Sequence, residues 1–154
     1  MAVLRVSEIS DLKEHVGDDL GTSRWVVLDQ DRIDAFARAT GDDQWIHVDV
    51  ERAKSESPFG GTVAHGYLTM SVAPALVNEL IDVENCTRIV NYGIDKLRLK
   101  EPVPAGSRLR VGAKITGVRE LRGGGARVTF AIRWEVEGAR RHACSAEVVY
   151  LYYP

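Results

Sequence analysis

From Ala64 to Leu80 the chain is apolar on nearly every side: Leu68, Met70, Val72, Ala73, Ala75, Leu76, Val77 and Leu80 leave no continuous polar stripe. A helix without a polar face persists only when it is enclosed, so the rest of the chain must wrap it. The second half has the pattern for that. Leu109, Val111, Ala113 and Ile115 alternate with Arg110, Gly112 and Lys114. Val128, Phe130, Ile132, Trp134 and Val136 alternate with Thr129, Ala131, Arg133 and Glu135, and Cys144, Ala146, Val148, Tyr150 and Tyr152 repeat the period of two, the mark of strands with one buried face. Residues 122–125 (Arg-Gly-Gly-Gly) form a hairpin turn between two of these runs, and residues 102–106 link Arg88–Lys100 to the next strand. The expected architecture is α+β. One long central helix is followed by four strands in hairpin order, and their curved antiparallel sheet wraps it. Pro74 lies inside the helix and should bend it, at about 3 kcal/mol unless its surroundings compensate.

The chain has 154 residues, which is most simply one domain spanning 1–154. A chain of this size buries roughly 68–70% of its unfolded surface and needs neither disulfide nor metal to fold. Cys86 and Cys144 form no CxxC pair and are expected to be free thiols in a reducing compartment. No run approaches the roughly 18 apolar residues of a membrane span, and Met1 to Glu14 has no secretory pattern, so a cytoplasmic protein without membrane attachment is expected. Net charge is −2 but unevenly placed: residues 1–60 carry 7 Lys/Arg against 13 Asp/Glu, and the remainder carries 13 against 9. The positive second half is either a solvated face or a rim for a phosphorylated ligand. Nucleic acid is not expected as a partner, because no dense basic patch interleaves with aromatics.

The first part reads as helical with short breaks. Asp29 or Asp31 can cap a helix whose apolar face is Ile33, Phe36, Ala37 and Thr40. Gly41 fits the left-handed position that follows a last turn, which puts Asp42 just past the helix. Asp49 can cap a second short turn, and residues 57–61 (Ser-Pro-Phe-Gly-Gly) read as a loop.

Asp42 and His47 are the candidate acid/base pair. On one continuous helix they would point about 140° apart, so they converge only if the chain turns between them. Residues 41–45 make such a turn plausible. Together they could hold and activate one water, because an imidazole with a reference pKa near 6.5 takes and returns a proton around neutrality. His65-Gly66 falls where the buried helix begins. The first N–H groups of a helix have no internal partners and carry partial positive charge, and a glycine there lets a carbonyl approach. One such donor on a developing oxyanion is typically worth about 2.7–4 kcal/mol. The alternative for Gly66 is simply close helix–sheet packing. No Ser or Cys nucleophile has a partner at recognisable spacing and no Gly-x-Ser-x-Gly elbow is present. Asp42, His47, Asp49 and His65 match no familiar metal-ligand spacing, so no metal is expected.

These residues resemble the MaoC-like, or R-specific enoyl-CoA hydratase, family of hot-dog folds. Its motif runs aromatic-x-x-x-(Ser/Thr)-Gly-Asp-x-Asn-Pro-x-His, followed by a His-Gly that opens the central helix. Phe36, Thr40, Gly41, Asp42, His47, His65 and Gly66 match it, and Tyr92-Gly93 and Pro102-Val-x-x-Gly106 are similar to its strand–turn–strand segment. The likeness spans roughly residues 20–150. Gln44 and Trp45 stand where Asn-Pro is usual, which resembles the subgroup similar to nodulation protein N. Pro74 stands where related enzymes offer a polar serine. The resemblance implies a hot-dog homodimer joined edge to edge, a trans-2-enoyl thioester of CoA or acyl carrier protein as substrate, and no cofactor. It implies Asp42 and His47 as the catalytic pair, Gly66 N–H as the oxyanion donor, and Gln44, His65, Tyr92, Gly93, Lys96 and Arg98 as substrate contacts. Lys96, Arg98, Arg108 or Arg110 would meet CoA phosphates. The implied reaction is reversible syn hydration to the (R)-3-hydroxyacyl thioester. A hot-dog thioesterase and a non-catalytic acyl-thioester-binding subunit are the alternatives.

Overall fold

The computed structural model describes residues 3–154; Met1 and Ala2, the start of the stretch without a secretory pattern, lie outside them. The elements in chain order are β1 (Leu4–Val6), a 3-10 helix (Ile9–His15), β2 (Asp19–Thr22), β3 (Val26–Leu28), α1 (Gln30–Thr40), α2 (Trp45–Val48), α3 (Val50–Glu56), α4 (Gly66–Ser71), α5 (Ala73–Val77), β4 (Ile81–Val83), β5 (Arg88–Leu99), β6 (Ser107–Glu120), β7 (Ala126–Val136) and β8 (Cys144–Tyr153). The six-stranded sheet has the order β2-β6-β7-β8-β5, with β3 also on β6, and β1 pairs with β4 in a separate parallel pair.

This is the hot-dog arrangement. The alternating runs turn one face inward, so Val111, Ala113 and Ile115 of β6, Phe130, Ile132 and Trp134 of β7, and Cys144, Ala146, Val148 and Tyr150 of β8 are all buried. They join Leu68, Ala73, Leu76, Val77 and Leu80 of the central helical segment in one apolar cluster. Each large aliphatic chain buried this way contributes about 1.5–3 kcal/mol, which holds the apolar helix in place.

Three expectations are corrected. First, the amino-terminal part is not helical throughout: β1, β2 and β3 are strands. They are three or four residues long, too short for a period of two to register. Ser23 extends β2 along β6 by an unusual route, its N–H donating to Val111 O and its hydroxyl accepting from Val111 N–H. Second, the central helix is not one long rod. It is interrupted at Val72, whose φ of −77° and ψ of −12° keep the chain right-handed. Pro74 falls in the first turn of α5, where its missing N–H is one that a helix start leaves unpaired anyway. Third, the four long strands are not in hairpin order. β6, β7 and β8 form a meander, but β5 lies on the far edge, antiparallel to β8, because the chain crosses the sheet between residues 99 and 107.

The helix boundaries around the site follow the local chemistry. Asp29 caps α1 by accepting from Arg32 N–H, and Gly41 ends it with φ 79°, its N–H bonded to Ala37 O. Asp49 caps α3 by accepting from Arg52 N–H.

Candidate active site

Gly41 turns the chain off α1 so that Asp42 emerges at once beside α2. Trp45 is the first residue of α2, the position in a helix where proline is best tolerated. Gln-Trp in place of Asn-Pro therefore keeps the helical start, and the Arg52 guanidinium lies 4.2 Å over the Trp45 ring. The short α2 then carries His47 back toward Asp42.

Asp42, His47 and His65 each place a carboxylate oxygen or ring nitrogen within 4.8 Å of the others. Two hydrogen bonds of about 2.8 Å meeting at one tetrahedral oxygen span roughly 4.6 Å, so one water fits between such groups. His47 Nδ1 lies 2.6 Å from Val63 O. A carbonyl only accepts, so Nδ1 carries the proton and the Nε2 lone pair of the neutral ring is free. His65 Nε2 lies 2.8 Å from Asp42 O and donates to it for the same reason. The His47 and His65 ring centroids lie 3.9 Å apart with 25° between their planes, and the Phe36 ring packs tilted against His65 at 4.9 Å. Asp42 is exposed, His47 half-buried and His65 buried.

Three ligating atoms this close invite the question of a cation. Imidazole lone pairs lie in the ring plane. With centroids 3.9 Å apart and only 25° between them, the two ring planes do not meet within about 2.1 Å of both nitrogens, the distance a bound transition metal needs. The stack suits a proton-transfer site better than a metal site.

Gly66 is the first residue of α4, with His65 as its N-cap. The Leu99 side chain lies over Gly66 where a Cβ would be. Tyr92 and Gly93 on β5 line a cleft of about 350 Å³ whose other walls include Met70, Pro74, Trp134 and Tyr150, whereas Gly66 lines a separate cleft with Thr69 and Leu99. Gln44 is the exposed N-cap of α2. Of the four basic residues expected at the rim, three are engaged: Lys96 Nζ lies 2.7 Å from Glu147, Arg108 2.8 Å from Glu137 and Arg110 2.8 Å from Glu135. The Glu147 carboxylate beside it holds the Lys96 ammonium pKa above its usual value. The Arg98 guanidinium donates to Leu97 O and has no carboxylate partner among the described residues. Burial pushes the Cys144 thiol pKa up to about 11, so it remains protonated and is not a nucleophile.

Gln30 was not foreseen. Its Nε2 donates to His47 O at 2.7 Å and its Oε1 accepts from Thr62 Oγ1 at 2.6 Å. It thereby ties α1 to the backbone of His47 and to the segment that presents Val63 O. The only signal in the sequence was its place directly after the Asp29 cap. Thr62 is 7% exposed, so removing Gln30 strands a buried hydroxyl. Gln30→Ala is expected to lower unfolding stability by about 1–3 kcal/mol, read as a shifted urea midpoint at constant m-value.

A family model described as MaoC like domain matches residues 11–134. The chain is 42% identical over 144 residues to 3-hydroxyacyl-thioester dehydratase Z of Mycobacterium tuberculosis, covering 94% of this chain and 95% of that protein. It is 41% identical over 140 residues to Nodulation protein N of Rhizobium leguminosarum bv. viciae, covering 90% and 86%. Among solved structures, the (R)-hydratase from A. caviae superposes with a TM-score of 0.72 at 22% identity, covering 90% of this chain and 96% of that one.

Proposed function

The chain belongs to the MaoC-like dehydratase family, and from that premise we propose that it interconverts trans-2-enoyl and (R)-3-hydroxyacyl thioesters by adding or removing water. One observation supports the proposal beyond family membership: a ring nitrogen of His47 and the exposed carboxylate of Asp42 lie within 4.8 Å of each other, close enough for one water to bridge them, while Nδ1 is already bonded to Val63 O. In hydration that water is held by both groups. Its oxygen attacks C3 as Nε2 takes its proton, and the C2–C3 π pair moves onto the thioester as an enolate. The Gly66 N–H stabilises the enolate oxygen. C2 then takes a proton from the same pair, on the face that received the hydroxyl, giving syn addition. The substrate is neither oxidised nor reduced, so the chemistry proposed draws on no redox cofactor.

In this reading the acyl chain follows α4 from Gly66 into the cleft lined by Tyr92 and Gly93. Gln44 offers its amide at the mouth, and Arg98 is the rim cation free to meet a phosphate of CoA or of a carrier-protein arm. Supporting a homodimer, β5 has β8 on one side only, and exposes Ile89 (41%), Tyr92 (61%), Ile94 (41%) and Leu99 (50%). A long apolar edge of this kind is normally covered. A second copy in antiparallel register covers it with its own equivalent edge, and light scattering should return the mass of two chains. No helix among the described residues is long and apolar enough to cross a membrane, and a cytoplasmic site of action is part of the proposal.

Crotonyl-CoA is the test substrate. The expected result is loss of enoyl absorbance, no free thiol, and (R)-3-hydroxybutyryl-CoA on chiral analysis. Thiol release would assign a thioesterase instead, and tight acyl-CoA binding without turnover would assign a binding subunit.

A further inference from the structure

We propose that His65 is a positioning residue, one that fixes Asp42 and His47 relative to each other and never touches substrate. The inference rests on the hydratase reading above. His65 is 2% exposed, so no acyl thioester reaches its ring without the fold opening. Its Nε2–H is committed to Asp42 O at 2.8 Å, which pins the backbone of the residue just past Gly41. Among the described residues, the Asp42 main chain is otherwise held only by its N–H to Thr40 Oγ1 at 3.3 Å. On the other side, the His65 ring is the platform for His47, stacked at 3.9 Å, while Phe36 keeps that platform from swinging away. One buried side chain therefore sets the position of both groups that hold the water.

The His65 π face has a second consequence. When His47 takes the proton from water it becomes a cation lying over the π face of an aromatic ring, an attractive arrangement in a partly desolvated site. In this role Nε2 donates to Asp42 O, and Nδ1 is buried without a hydrogen-bond partner among the described residues. His65 is also the N-cap of α4, so the same residue aligns the pair with the Gly66 N–H.

Paired variants separate the two contributions. His65→Phe keeps an aromatic platform and deletes the donor to Asp42 O. His65→Gln can place an amide N–H near the Nε2 position and deletes the platform. The expected result for His65→Phe is a kcat for crotonyl-CoA hydration lowered roughly tenfold or more with KM within about threefold, and for His65→Gln a kcat between that value and wild type. Retention of wild-type kcat by a folded His65→Phe, or a loss confined to KM, would overturn the proposal. If His65→Phe does not fold, 15N spectra of histidine-labelled wild-type protein decide. The expected tautomers are Nε2–H for His65 and Nδ1–H for His47, and a His65 carrying its proton on Nδ1 overturns the assignment. Asp42→Asn is assayed in parallel. An active Asp42→Asn sinks the hydratase reading itself, whereas an inactive one beside an unimpaired His65→Phe sinks only this inference.

Discussion

His47→Gln is expected to lower kcat for crotonyl-CoA hydration by about a hundredfold or more, while the protein stays folded. Glutamine has no group that takes a proton near neutrality, so the attacking water must lose its proton to solvent or to Asp42 alone. General-base help of the kind being removed is typically worth ~10²–10⁴-fold, and a hundredfold corresponds to about 2.7 kcal/mol of barrier. The structural cost is smaller. The bond from Nδ1–H to Val63 O is lost, a net contribution of about 1 kcal/mol. The other ties of this residue belong to its backbone: its N–H donates to Gln44 O and its O accepts from Gln30, and both survive the substitution. A large kcat loss with a melting temperature shifted by only a few degrees is the expected signature. Wild-type turnover in the folded variant would remove His47 from the mechanism.

The parts of this molecule that were legible from sequence are those where local chemistry decides. Gly41 had to sit at positive φ, Asp29 and Asp49 had helix starts to cap, and the period-two runs of 109–115, 128–136 and 144–152 had a single apolar face to bury. Each follows from residues within a turn or two. Strand order was not legible, because nothing in Arg88–Leu99 says that it pairs with β8 rather than β6. The three-residue strands β1 and β3 carry too little pattern to separate from loop. The convergence of Asp42 with His47 was inferable as a need for a turn. Its supports were not: Gln30 reaches His47 O across 17 positions and Val63 O meets Nδ1 across 16, separations that no local pattern encodes.

Trp45 shows how a departure from the family motif can leave geometry intact. Proline at the start of α2 would fix φ by its ring. Tryptophan has no such constraint, but Arg52, one turn into α3, stacks on it at 4.2 Å and closes the α2–α3 corner through side chains. The rigidity moves from the backbone to a cation–π contact, worth about 0.5–1 kcal/mol where exposed. The angle at which His47 faces Asp42 depends on that corner.

Asp42→Asn is the other large expected effect, again roughly a hundredfold or more in kcat. The two side chains have nearly the same shape. The Asp42 side chain makes no hydrogen bond among the described residues that the change would break: its contact to His65 is through the main-chain oxygen. Because the carboxylate is exposed, neutralising it relieves no buried charge and should leave stability within about 0.5 kcal/mol. What changes is electrostatic: the site loses the anion that orients the water and offsets the charge formed on His47. The double variant Asp42→Asn/His47→Gln tests whether the two act as one device. Independent contributions multiply, which would give a combined loss of about ten-thousandfold. Groups that share one water do not, since removing either already disables it, and the double variant is expected to be no slower than the slower single. Multiplicative losses in folded protein would mean that Asp42 and His47 serve separate steps, and the shared water between them would have to be abandoned.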